Sequence, residues 1–141
     1  MTALAVVLAL AFVLIAAAHV YWGFGGRWGV AAAIPQQPDG TPLFSPGLGA
    51  CLVVAAGLAG FAYLSLALVN LLSLTSVPIS PRLFGYGLSA IFAARTMGDF
   101  RFFGLFRKVQ GTTFGRLDRT FYTPLCAVLA LGLAILAIGT R

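Results

Sequence analysis

Residues 2–22 read TALAVVLALAFVLIAAAHVYW, a run without a charged side chain whose first polar group past Thr2 is His19. About 20 apolar residues are enough to span a bilayer, because the hydrocarbon core is roughly 30 Å thick and a helix rises about 1.5 Å per residue. The run therefore reads as a membrane-spanning helix. A cleaved signal peptide is the competing reading, since the three alanines at 16–18 resemble a cleavage site. No basic segment precedes the apolar stretch, which favours a retained helix.

The rest of the chain supports the same solvent. Of 141 residues, 60% are hydrophobic and 9% charged, with a mean hydropathy of +1.00, too apolar to build a water-facing shell. Three more apolar runs, at 46–72, 81–97 and 124–138, bring the expected number of spans to four. Each opens on the same signal, Ser45-Pro46, Ser80-Pro81 or Thr123-Pro124. A Ser or Thr side chain caps the free amides of a first helical turn, and proline has no amide to leave unpaired. There is no long internal repeat and no linker, so residues 1–141 read as one membrane domain. The expected fold is all-α, a polytopic four-helix bundle. Small residues four apart, Ala56 with Gly60 and Ala130 with Ala134, suit close helix packing in lipid without saying which helices touch.

Four spans put the loops at 23–45 and 98–121 on one side, and the termini and the 73–80 connection on the other. The first side carries Arg27, Arg101, Arg107, Lys108, Arg116 and Arg119, with Arg95 just inside the third span; the second has Arg82 and Arg141. The positive-inside rule then places the basic loops in the cytoplasm and both termini outside. The net charge of +6 is accounted for by this topology, which argues against nucleic acid as a partner. Within the second loop, residues 99–109, DFRFFGLFRKV, read as a basic amphipathic helix. Phe102, Phe103, Leu105, Phe106 and Val109 fall on one face and Arg101, Arg107 and Lys108 on the other, while Phe100 departs from the pattern. Such a helix lies in the interface and attracts anionic lipid.

Polar chemistry collects at the same membrane face. His19 and Trp22 leave the first span, Cys51 opens the second, Arg95 and Asp99 close the third, and Tyr122 and Cys126 begin the fourth. The opposite face offers Asn70, Ser73 and Ser76. Tyr21, Trp22 and Trp28 fit an aromatic belt. Arg95 and Asp99 stand four apart, so a continuing helix would pair them on one face. A charge at membrane depth costs on the order of 2.5–3.5 kcal/mol and is normally kept for a site or a structural lock. His19, Cys51 and Cys126 form a weak candidate metal set, since a histidine with two thiolates binds zinc. Their spacing shows no C-x-x-C and no second histidine, and buried cysteine commonly packs as a small hydrophobe. GFGGRWG at 23–29 lacks the spacing and the preceding strand of a dinucleotide-binding loop. The proline-rich stretch after it suggests an ordered, surface-hugging or re-entrant loop.

The block HVYWGFGGRWG with Pro35, and the downstream block RTMGDFRFFGLFRKVQGTTFGRLDRTFYTPLC, resemble an uncharacterised bacterial family of four-span membrane proteins, domain-of-unknown-function family 3995. The resemblance covers essentially the whole chain. It implies a multi-pass protein of the bacterial inner membrane and the positions His19, Trp22, Gly26, Trp28, Pro35, Arg95, Asp99, Arg101, Asp118, Tyr122 and Pro124. It brings no activity with it and leaves the cofactor unknown.

Three classes of function follow. A non-enzymatic binding or accessory protein would use Arg27, Arg95 and Arg101 to hold an anionic headgroup, metabolite or partner, with Asp99 and Asp118 fixing the arginines. The protein partner could equally be a second copy of the chain. A membrane enzyme or redox protein would use His19 with Tyr122 or a cysteine. A small transporter would use the Arg95/Asp99 pair, but the middle of each span is apolar apart from Tyr63, Ser65 and Ser89 and no helix is broken at depth. The binding class is favoured.

Overall fold

The computed structural model describes residues 1–73 and 80–140. Most of the 73–80 connection, with Ser76, and the C-terminal Arg141 lie outside the described residues. The chain is helical, and no strand occurs among the described residues. Helix α1 is Thr2–Gly23, α2 a single turn at Val30–Ala33, α3 Leu48–Ala67, α4 Pro81–Met97, α5 Thr113–Leu117 and α6 Thr123–Gly139. A π-helical turn, Asp118–Tyr122, joins α5 to α6, so that Thr113–Gly139 is one helix of 27 residues. This helix, α1 and α3 are each long and apolar enough to cross a membrane, and the molecule is a helical membrane bundle. Helix α4 is shorter, at 17 residues.

The helices run up and down in sequence. Gly23 at the end of α1 packs on Cys51 at the start of α3, while Gly85 and Ser89 of α4 meet Ala137 and Ala130 of α6. The result is two antiparallel pairs, α1 with α3 and α4 with α6. They join at a layer of rings in which Phe12, fully buried, lies 5.8 Å from Phe61 and 5.4 Å from Phe92. Side chains turned away from this core, among them Val7, Val53, Ile91, Val128 and Ile138, are exposed, the pattern expected where the surrounding solvent is lipid. Since lipid is as apolar as leucine, close packing rather than burial holds such helices together. Close approaches occur at Gly85, where a Cβ would come within 2.9 Å of that of Ala137, and at Gly132, set against Leu8. The Ala56/Gly60 pair faces outward, with nothing within 4 Å of a Cβ placed on Gly60. Two polar ties add to the packing: Ser89 Oγ donates to Ala130 O at 2.8 Å, and Thr140 Oγ1 to Leu68 O at 3.1 Å.

Of the three Ser/Thr-Pro signals, only Ser80-Pro81 marks a helix start, with Ser80 at the N-cap and Pro81 in the first turn. Helix α3 starts after Gly47, past Ser45-Pro46. Ser80 does precede Pro81 at the start of α4, but its side chain makes no capping bond. Thr123-Pro124 lies inside a continuous helix. Proline there cannot donate to the carbonyl four residues back and its ring crowds that carbonyl, and the helix accommodates it with the wider π turn immediately before it.

The 99–109 segment is not an amphipathic helix. The helical part of the 98–121 loop is instead Thr113–Tyr122, that is α5 and the π turn, and residues 98–112 form a compact series of turns. Helix α4 stops at Met97, after which Gly98 and Gly104 take positive φ of 91° and 86° and press their backbones together. A Cβ on Gly98 would overlap Phe103 O, so the approach is open only to glycine. Asp99, freed from the helix, accepts the backbone N–H groups of Arg101, Phe102 and Phe103 at 2.9, 2.7 and 3.0 Å. Helical hydrophobic periodicity lost because three capped amides and two touching glycines select a tighter structure. Phe100, at φ 62°, is turned out of this knot and stacks on Phe106.

Partial burial pushes the Asp99 carboxyl upward, but the three N–H donors from Phe103, Arg101 and Phe102 outweigh it and leave its pKa below the ordinary 3.8. A depressed carboxylate pKa contributes stability above its unfolded value, and that contribution is lost as pH falls through the folded value. Hydrogen exchange, corrected for intrinsic rates, should therefore show the amides of residues 101–103 protected at neutral pH and released below the ordinary carboxylate range. Asp99→Ala should release them at every pH; unchanged protection in that variant would mean the carboxylate does not hold the loop.

Candidate functional site

The polar centre of the molecule is Asp118. Its side chain is fully buried at the first residue of the π turn, where an isolated carboxylate would be strongly penalised. Four donors surround it. Arg95 Nη2 donates to Oδ1 at 2.7 Å; Gly104 N, Thr123 Oγ1 and Arg107 Nη1 donate to Oδ2 at 2.8, 3.0 and 3.3 Å. Arg107 Nη1 also donates to Gly104 O at 2.7 Å. The π turn sends the Thr123 backbone N–H to Asp118 O while the Thr123 hydroxyl reaches the same residue's carboxylate. Arg95 is stacked over the Phe103 ring, 4.4 Å from its centroid. One carboxylate thus connects the end of α4, the 98–112 loop and the start of the last helix.

The hub corrects the expected Arg95/Asp99 pair. With α4 ending at Met97, Asp99 no longer lies one turn above Arg95; it serves the backbone, and Arg95 turns to Asp118. The transporter reading loses the pair on which it was built. Neither aspartate grips an arginine with both oxygens: Asp118 gives one oxygen to each of two arginines, and Asp99 makes no ion pair among the described residues. Arg107, Gly104 and Thr123 were not among the site residues expected from sequence. The one signal available for Arg107 was arithmetic, since only three acidic residues face nine basic ones and a buried acid in such a chain attracts more than one base.

Beside the hub, a cleft of about 530 Å³ opens between the two helix pairs. Its apolar walls include Leu14, Ile15, Val54, Leu58, Phe92 and Leu129, and its polar end is built by His19, Trp22, Arg95, Tyr122 and Cys126. His19 Nδ1 hydrogen-bonds the Ile15 carbonyl at 2.8 Å, the ring lying edge-on to Trp22. Five of the residues singled out from sequence therefore share one cavity. A smaller cavity of about 210 Å³ on the other side of His19 and Trp22 reaches Cys51.

The other expected residues lie elsewhere. Arg27 and Trp28 are exposed on the turn after α1 and line neither cavity. That turn closes on itself: Trp22 Nε1 donates to Trp28 O at 2.8 Å, and Gly26 lies flat against the Tyr21 ring, where any Cβ would overlap it. Arg101 stacks on Phe102 and, with Lys108, Phe100 and Pro38, lines a separate surface depression. Pro35 opens the ordered loop that docks on α5 through Gln36 Oε1, which accepts the Phe114 N–H at 3.3 Å. His19, Cys51 and Cys126 do not converge: among the described residues no group of three His, Cys, Asp or Glu side chains is arranged to hold a metal ion.

Removing one partner of a buried ion pair strands the other charge, typically at about 3–5 kcal/mol. Asp118→Ala strands two guanidinium groups and should destabilise the protein by an amount on that order, far more than Asp99→Ala, in denaturant unfolding of the detergent-solubilised protein. Equal stability of Asp118→Ala and the parent would show that the hub carries no net stabilisation.

No curated protein and no solved structure matches the chain. A family model described as "Protein of unknown function (DUF3995)" matches residues 12–133, which include α1 from Phe12 onward, the hub and every residue of the cleft. The chain is a member of the DUF3995 family, and with its three long apolar helices it is a membrane protein of that family.

Proposed function

We propose that this protein is a non-enzymatic, four-span binding protein that holds an anionic amphiphile in the cleft between its helix pairs, with the acyl chain along the apolar walls and the headgroup at Arg95. The observation that carries the reading is the position of Arg95 at the polar end of an otherwise apolar cleft. Its guanidinium shares its only carboxylate with Arg107, and Nη1 is buried without a partner. Two arginines on one aspartate leave a net positive charge, which an anionic headgroup complements. The cleft's volume lies within the range of ordinary small-molecule sites.

The wider setting suits a ligand taken from the membrane. In this reading α4 also spans the membrane, as the third of four, the basic loops face the cytoplasm, and the exposed Trp28, Phe100, Leu105 and Phe106 rest in the interface beside Arg101 and Lys108. An enzymatic role for His19 has less support. Each of the three acidic residues of the chain is engaged elsewhere, so His19 lacks a carboxylate to orient it as a general base.

The chain has two tryptophans, and Trp28→Phe leaves Trp22 as a reporter inside the cleft. Lipid with brominated acyl chains should quench this variant at lower mole fraction when the headgroup is phosphatidylglycerol than when it is phosphatidylcholine. Arg95→Gln should weaken the anionic lipid on the order of tenfold, about 1.4 kcal/mol, and Arg95→Lys by less. Equal quenching by both headgroups, unmoved by Arg95→Gln in a protein that still melts cooperatively, would exclude the proposed ligand class.

A further inference from the structure

A second cationic pocket lies on the other side of the hub and shares none of its lining with the cleft. It has a volume of about 310 Å³ and is lined by Leu105, Arg107, Gln110, Arg119 and Thr123. The Arg107 side chain is 8% exposed and its Nη1 serves Asp118 and Gly104, yet its Nε is buried with no partner. A buried guanidinium N–H without an acceptor is costly, and native structures normally supply one. Arg119 lines the same space as a second cationic residue.

The chain cannot supply that acceptor from its own acids. Of its three acidic side chains, Asp39 is bound to Thr41, Asp99 to the amides of residues 101–103, and Asp118 to Arg95 and Arg107. The only ion pairs among the described residues are the two on Asp118, so Arg119 enters the pocket uncompensated. The Thr123 hydroxyl is already committed as a donor to Asp118, and Gln110 adds an amide able to donate. The pocket is therefore lined by two arginines and one amide and has no carboxylate in its lining.

From this we infer a binding site for a phosphate-type oxyanion, held between Arg107 and Arg119 and completed by Gln110. Arginine suits it because its planar fork matches two oxygens of one phosphate, and a second arginine neutralises the charge a monoester carries. Asp118 acts as a positioning residue: by fixing Arg107 Nη1 it sets the direction in which the rest of that guanidinium is offered. The same chemistry is found in a phospholipid headgroup and in a free phosphate ester. The site does not depend on what occupies the cleft, since Arg95 takes no part in it.

Two probes on the full chain in maltoside detergent separate the sources. Inorganic phosphate is titrated by calorimetry against chloride at constant ionic strength, and dioleoylphosphatidylglycerol is titrated by native mass spectrometry. The key variant is Arg119→Gln, an exposed position whose change leaves the hub intact; Arg116→Gln, exposed on the same helix but outside the pocket, is the control. Saturable phosphate binding weakened at least tenfold by Arg119→Gln and unchanged in Arg116→Gln assigns the site to free phosphate. Loss of one lipid equivalent in Arg119→Gln alone, without phosphate binding, assigns it to a headgroup. Equal losses in both variants would mean diffuse charge attraction and overturn the site, as would the absence of saturable binding of either probe.

Discussion

The buried carboxylate of Asp118 is the constraint on which the polar end of this protein depends. A fully buried aspartate is tolerable only when its oxygens are filled, and here two arginines, a backbone amide and a hydroxyl fill them. The donors come from three different segments. Arg95 sits in the last turn of a short helix, and Gly104 and Arg107 belong to a loop without regular structure. Thr123 sits where proline forces the helix to widen. In lipid, where apolar burial gives helices little reason to associate, an interaction of this kind decides which ends stay together.

The same hub explains why the cleft lies where it does. Helices α1 and α6 meet closely at Leu8 with Gly132 and at Met1 with Gly139, toward the termini. At the other end α6 is extended by α5 and the π turn, and Arg95 and Asp118 draw that extension toward α4. The pair α1 and α3 contributes no charged residue to this network, so nothing electrostatic pulls it in. The gap it leaves is walled by apolar side chains and closed at its polar rim by His19 and Trp22.

Much of the architecture was legible from residue types. Charge-free runs identify α1, α3 and α6 because the bilayer permits few alternatives to helix, and the clustering of His19, Trp22, Arg95, Tyr122 and Cys126 at one depth follows from helix lengths alone. What could not be read is instructive in each case. The amphipathic pattern at 99–109 is real as a pattern, but Gly98 and Gly104 allow a backbone contact that no periodicity encodes, and Asp99 caps amides that a helix would have used internally. The partner of Arg95 lies 23 residues away across an irregular loop, so a local i, i+4 rule selects the wrong carboxylate. Thr123-Pro124 resembles a helix start, and only the preceding turns show that the helix begins ten residues earlier, at Thr113.

Charge balance ties these features to function. Three acids cannot neutralise nine bases, and the protein spends its single buried acid on two arginines at once. Had Asp118 bound Arg95 with both oxygens, Arg95 would be a closed structural pair and Arg107 a stranded cation. By giving one oxygen to each, it holds both guanidinium groups in place while leaving N–H donors on both unpartnered, Nη1 on Arg95 and Nε on Arg107. An arrangement selected only for stability has no reason to keep such donors, since replacing buried ions with apolar side chains is often neutral or better. One half-satisfied arginine lining the cleft and another lining the pocket with Arg119 are the features on which the two proposed anion sites, one on each side of a single carboxylate, rest.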